Sequence, residues 1–120
     1  MVTSAPDDRD IRRGQVFWVD FCVPRGSEQA GRRPALVVQN DVGNRYSPNT
    51  IVAAMTTRVG NKEYPTEVQL ADDVFARPST VLCAQLLTIS RERLESPPVA
   101  QLDDVTMARV DAALKLSLGL

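Results

Sequence analysis

The sequence predicts a mainly β domain: a small, curled antiparallel sheet or barrel with one helix packed on it at the C-terminus. Three observations carry this. Short runs rich in β-branched and aromatic residues recur along most of the chain. Clusters of Gly, Pro, Asn and Asp separate them. Only the final stretch changes its apolar period from two residues to a helical repeat.

Residues 1–12 are polar, with Asp7, Asp8, Arg9 and Asp10 close together, and read as a flexible N-terminal arm. A single domain over residues 13–120 follows. Gln15–Cys22 is the first strand. Phe17, Val19 and Phe21 fall on one face, Val16 and Trp18 on the other. Val23–Arg33 has no periodicity and contains Pro24, Gly26 and Gly31, so it reads as a long loop of the kind that often carries function. Pro34–Gln39 is a buried strand whose proline sits at its first residue.

Asn40–Asn49 is a turn cluster, and Thr50–Thr57 a further apolar strand. Arg58–Pro65 is a loop, Thr66–Leu70 a strand and Ala71–Pro78 a connector. Ser79–Cys83 and Leu86–Ile89 extend the sheet with a break between them. Leu94–Ala100 is ambiguous because Pro97 and Pro98 restrict it. The helix spans Asp103–Leu118. Asp103 is its N-cap, Asp104 suits the positive end of its dipole, and Gly119 lies just past its end. Met107, Val110, Leu114 and Leu118 form its apolar stripe.

Composition narrows the chemistry. The 120 residues fit one domain, and 43% hydrophobic with 24% charged residues is ordinary for a globular chain. No apolar run approaches the roughly 20 residues of a membrane span. The N-terminus has no apolar core of a secretory signal, so a cytoplasmic protein is expected. The two cysteines, Cys22 and Cys83, form no metal-binding spacing and read as small buried apolar residues. A disulfide would require the fold to bring them together, and the cytosol disfavours it. The chain has no histidine, which removes Ser-His-Asp and Cys-His machinery and the paired-histidine acid–base chemistry of many nucleases. The net charge is −1, but residues 1–62 carry 9 basic and 6 acidic side chains against 5 and 9 in residues 63–120. A local basic face is therefore allowed.

Candidate chemistry concentrates in Arg25–Pro34, where three arginines, Glu28, Ser27 and Gln29 lie among glycines. Arginine forks match phosphate oxygens, and glycines let backbone N–H groups approach an anion. Taken alone, the segment is also what a solvated polar hairpin looks like. Thr56-Thr57-Arg58 closes a strand and would ordinarily present its hydroxyls to solvent. Trp18 and Tyr46 could stack on bases, although Trp18 in an apolar strand reads first as core. Gln85 could read a base edge or cap a backbone group.

Read in order, Arg13-Gly14-Gln15-Val16-Phe17-Trp18-Val19-Asp20, Gly26-Ser27-Glu28-Gln29, Arg33-Pro34, Leu36-Val37-Val38-Gln39-Asn40-Asp41, Asn44-Arg45-Tyr46-Ser47-Pro48, Ile51-Val52-Ala53-Ala54 and Thr56 form one series. Pro65-Thr66-Glu67-Val68, Gln85 and Thr88-Ile89 complete it. This series resembles the MazF/PemK toxin family, also known as Kid and ChpA, from about Arg12 to the C-terminus. The resemblance implies an SH3-like barrel of the CcdB/MazF type, acting as a homodimer toxin of a type II toxin–antitoxin system. It implies sequence-specific, metal-independent cleavage of single-stranded RNA (mRNA), with no cofactor. The 2′-OH attacks the adjacent phosphorus and leaves a 2′,3′-cyclic phosphate and a 5′-OH. The family's catalytic pair falls on Arg33 and Thr56, its loop residues on Ser27, Glu28 and Gln29, and its base-reading glutamine on Gln85. A MazE-type antitoxin peptide is the implied partner.

Two rival readings remain on the same scaffold: a CcdB-like toxin that poisons DNA gyrase, and a non-catalytic RNA- or protein-binding barrel. One departure is visible. Relatives often carry Glu just before the base-reading Gln, and here that position is Ala84. Loss of that carboxylate removes an acceptor for base amino groups, which implies a shifted or relaxed sequence preference. A guanidinium rarely deprotonates, so Glu28 is the better general base by pKa, and which of Arg33 and Glu28 moves the proton stays open.

Overall fold

The alternation in the sequence folds into one antiparallel sheet in the computed structural model, which describes residues 7–21, 31–57, 63–71 and 78–120. The strands are β1 (Gln15–Asp20), β2 (Arg32–Val37), β3 (Asn49–Thr56), β4 (Glu67–Leu70), β5 (Ser79–Ser90) and β6 (Glu95–Gln101). They lie in the order β4-β5-β3-β2-β1-β6. Helix α1 (Asp41–Tyr46) joins β2 to β3, and helix α2 (Asp104–Leu118) ends the chain. The architecture is the curled, mainly β sheet with a C-terminal helix that the sequence predicts.

Both faces of the sheet are buried. Val16, Leu36, Ala53, Met55, Val81 and Cys83 point to the side covered by α2, where Met107, Val110 and Ala113 close a first core. Phe17, Val19, Phe21, Ala35, Val37, Val52 and Ala54 point the other way and form a second core. Ile11 from the N-terminal segment and Leu94 complete that second core. Phe17 is 1% exposed, and burying such a side chain is worth about 1.5–3 kcal/mol. Gly14 leads into β1 at φ +96, where an added Cβ would lie 2.7 Å from the Gln101 amide nitrogen.

Helix α2 follows its local signals. The Asp103 carboxylate accepts from Thr106 N–H at 2.8 Å, and this holds its pKa below the usual carboxylate range. Gly119 ends the helix in the left-handed region at φ 73. The stripe is corrected at its last member: Leu118 is exposed, and Ala113 is buried in the stripe beside the half-buried Leu114. The helix packs on β4 and β5, and its last turn reaches past the core those strands support.

Four further expectations change. The arm is anchored from Asp7 onward. The Arg9 guanidinium binds the Asp7 carboxylate at 2.7 Å and donates to Leu94 O at 2.6 Å and Arg91 O at 2.7 Å. The turn cluster contains α1, because Asn40 caps Gly43 N–H at 2.7 Å and the fully buried Asn44 accepts from the Thr50 hydroxyl at 2.7 Å. The expected break after Cys83 is an irregularity inside one strand: the register jumps from Ala54↔Leu82 to Ala53↔Leu86, leaving residues 83–85 without opposite partners in β3. The ambiguous proline segment is β6, an edge strand. Its prolines lie where the register with β1 shifts between Val16↔Ala100 and Trp18↔Glu95, so their missing N–H groups cost no ladder bond.

Candidate active site

β2 is central to the site. Within it, Ala35 and Val37 face the second core, and the two-residue period turns Arg33 to the same side. Arg33 pairs with Val19 of β1. On its other flank β2 pairs with β3 as Ala35↔Ala54, Leu36↔Ala53 and Val37↔Val52. Continued by two residues, this register sets Arg33 opposite Thr56. Thr56 in turn pairs with Thr80 of β5, and Thr80 with Gln69 of β4. A polar row of Arg33, Thr56, Thr80 and Gln69 therefore crosses four strands on one face, at the margin of the second core.

The row is sheltered. Thr56 is 9% exposed, Thr80 is buried, and Arg33 and Gln69 are half-buried. Neighbouring groups hold Arg33 and Thr56. Two residues back along β3, Ala54 forms part of the wall of a cavity of about 330 Å³. Gln85, Phe21, Leu87, Ile89 and Arg93 line the same cavity. Gln85 is half-buried and belongs to the three-residue irregularity of β5, which turns it toward this space rather than into a ladder position. The Arg93 guanidinium is fixed at the rim by donation to the Asp20 carbonyl.

The continued register thus puts Arg33 and Thr56 on one face of neighbouring strands, and Gln85 lines the cavity beside Ala54. Ser27, Glu28 and Gln29 lie outside the described residues, as does Cys22. Trp18 is corrected: it is half-buried, on the face opposite Arg33, with the Arg32 guanidinium 4.7 Å from its ring centroid. Tyr46 is 74% exposed on α1, away from the row, with Arg45 over its ring. Cys83 is fully buried on the helix side and burial pushes its thiol up to about 11, so it stays protonated at neutral pH and offers no nucleophile.

The sequence does not single out Thr80 and Gln69, since each reads as an ordinary strand residue. Their place in the row depends on register alone. A second cleft, of about 540 Å³, lies between the N-terminal segment and α1. Its charged groups serve each other: Asp7 pairs with Arg9 at 2.7 Å and with Arg91 at 3.6 Å, and Arg91 donates to the Asn44 carbonyl. Among the described residues no group of three or more His, Cys, Asp or Glu is placed to hold a metal ion. No helix among them is long and apolar enough to cross a membrane.

Comparison with known proteins gives this geometry its context. The model of the PemK-like, MazF-like toxin family of type II toxin–antitoxin systems matches residues 12–118. The chain is 44% identical over 112 residues to the endoribonuclease EndoA of Bacillus subtilis, covering 92% of this chain and 96% of that one. It is similar to the crystal structure of MazF from Deinococcus radiodurans, with 27% identity, a TM-score of 0.79, and coverage of 94% of this chain and 100% of that one. A MazE–MazF structure from the same organism matches with 27% identity and a TM-score of 0.75, over 94% and 99% of the two chains.

Proposed function

The chain belongs to the PemK-like, MazF-like family of type II toxins as a toxin endoribonuclease, and from that premise we propose that it cuts single-stranded mRNA at short sequences on the row that holds Arg33 and Thr56. The observation that supports this reading is the β2–β3 register, which, continued two residues past Ala35↔Ala54, brings Arg33 opposite Thr56.

The nucleophile is the substrate's own 2′-OH, so the enzyme needs no serine, cysteine or histidine to attack. A bond forms from the 2′-oxygen to phosphorus and the bond from phosphorus to the 5′-oxygen breaks. The 2′-OH proton goes to a base, and the 5′-oxygen takes up a proton as it leaves. The products are a 2′,3′-cyclic phosphate and a 5′-OH, and DNA, which lacks the 2′-OH, is not cut.

Negative charge builds on the non-bridging oxygens in the transition state. The Arg33 fork meets it with paired N–H donors, and the Thr56 hydroxyl adds a third. In a half-buried position such donors act through a lower dielectric than in water. Arg33 works as a charge stabiliser, because a guanidinium does not exchange protons readily near neutrality. Glu28 is the candidate carboxylate to accept the 2′-OH proton. Ser27, Glu28 and Gln29 line the RNA path, and Gln85 reads a base edge from the cavity beside Ala54.

A MazE-type antitoxin peptide blocks the same groove. The toxin works in the cytoplasm as a homodimer. Exposed apolar side chains such as Val42, Tyr46 and Val99 supply surface for self-association. The gyrase-poison alternative has no use for an arginine opposite a threonine.

The test is direct. Purified protein incubated in EDTA with single-stranded RNA is expected to yield 2′,3′-cyclic phosphate and 5′-OH ends, and Arg33→Ala is expected to remove most of that activity. Cutting that stops on chelation and is untouched by Arg33→Ala refutes the proposal. Loss of gyrase supercoiling with intact RNA would support the alternative.

A further inference from the structure

We infer that Thr80 is a positioning residue for the cleavage, acting through Thr56; this rests on the proposed role of Thr56. Thr80 is 3% exposed, and its hydroxyl has no hydrogen-bond partner. Buried hydroxyls are nearly always paired, because an unpaired one loses its water without replacement. Valine has the same shape and avoids that cost. A fold that keeps the hydroxyl here carries a penalty that the resting structure does not repay.

The strand register shows where the hydroxyl can be used. Thr80 lies directly opposite Thr56 in the β3–β5 pairing. Opposed side chains on an antiparallel pair have Cβ atoms about 4.5–5.5 Å apart, and Thr–Thr pairs in this arrangement can join by a hydrogen bond. In the resting protein Thr56 has an interaction partner, whereas the Thr80 hydroxyl has no hydrogen-bond partner. When RNA is bound and the Thr56 hydrogen turns to a phosphate oxygen, a Thr56 lone pair is left to accept. The Thr80 O–H is the buried donor beside it.

The resulting chain runs from Thr80 O–H to Thr56 O–H to the phosphate oxygen. A hydroxyl that accepts a hydrogen bond donates a stronger one, so Thr80 polarises Thr56 and fixes its rotamer without touching RNA. No proton is transferred along the chain and no covalent bond changes. The burial of Thr80 is consistent with this indirect role, since RNA reaches Thr56 first.

Thr80→Val, Thr80→Ser, Thr56→Val and the Thr56→Val/Thr80→Val double variant test the idea by steady-state cleavage of a short single-stranded RNA and by thermal unfolding. Thr80→Val is expected to lower kcat about fivefold with KM unchanged, the size of one neutral hydrogen bond. Its Tm is expected to equal or exceed that of the wild type. Thr80→Ser is expected to restore kcat. In the Thr56→Val background, Thr80→Val is expected to have no further effect. A wild-type kcat in Thr80→Val while Thr56→Val is slow overturns the role of Thr80 alone. A Thr80→Val loss that persists unchanged in the Thr56→Val background also overturns it. A wild-type kcat in Thr56→Val overturns the reading of Thr56 and the Thr80 inference with it.

Discussion

The two faces of the sheet come from the same strands and the same alternation, but they are finished differently. Under α2 the face has an apolar centre, where Val16, Leu36, Ala53, Met55 and Val81 meet Met107, Val110 and Ala113. The opposite face starts as core at Phe17, Ala35 and Ala54, then turns polar at Arg33, Thr56 and Thr80. Among the described residues, Ile11 and Leu94 complete its core. The polar margin of this face is the part that the proposed chemistry uses.

The sharpest way to break this contrast is at Arg33. Arg33→Ala is expected to slow RNA cleavage on the order of 10²- to 10³-fold while changing unfolding free energy by about 0.5 kcal/mol or less. Single-turnover cleavage and urea unfolding on one preparation measure both, and a large stability loss would place Arg33 in the scaffold. Core truncations should behave in the opposite way on both faces. Phe17→Ala is expected to cost about 3–5 kcal/mol and Leu36→Ala about 2–5 kcal/mol, each in a single urea transition. Two separate transitions would mean that the cores unfold independently.

A smaller effect concerns the N-terminal segment, which sends Ile11 into the second core. Hydrogen bonding to Arg9, with the added charge of Arg91, holds the Asp7 carboxyl well below the usual carboxylate range. Such a group stabilises the fold fully above its unfolded value of about 3.9, and that contribution is lost as pH falls toward the folded value. Asp7→Asn is therefore expected to cost about 1–2 kcal/mol at pH 7, with the difference from wild type vanishing in acid. Thermal melts across a pH series would show it; a difference that grows in acid contradicts the sign. The smallest energetic effect is expected at Ala84, exposed beside Gln85. Ala84→Glu should leave Tm within a degree or two and change the cut motif, read by mapping RNA ends. Identical motifs would mean that this edge of the active face does not choose bases.

Much of the fold is legible in the sequence alone. The Asp103 cap, the Met107 and Val110 stripe and the Gly119 terminator lie within one local element, so neighbours in sequence carry the whole signal. The β1 alternation likewise separates Phe17, Val19 and Phe21 from Val16. Arg33 and Thr56 are reached through an ordered resemblance, since alone Arg33 reads as the end of a polar loop, though the structure places it inside β2, and Thr56 reads as an ordinary strand end. Where local signals mislead, a distant partner decides the outcome. α1 exists because Asn44 is buried against Thr50 and under Arg91, 47 positions away. The N-terminal segment is held by Leu94 O and Arg91 O, over 80 positions away.

By itself, the sequence determined the type of each strongly periodic segment, the lack of histidine chemistry and the family to which the chain belongs. Local backbone preferences and residue identity suffice for those. The tertiary structure alone decided that β2 and β3 pair in a register whose continuation sets Arg33 toward Thr56, and that Thr80 stands opposite Thr56. A one-residue slip in register would move every side chain of a strand to the opposite face. That register is set by contacts summed over the whole sheet, which no single segment of the sequence contains.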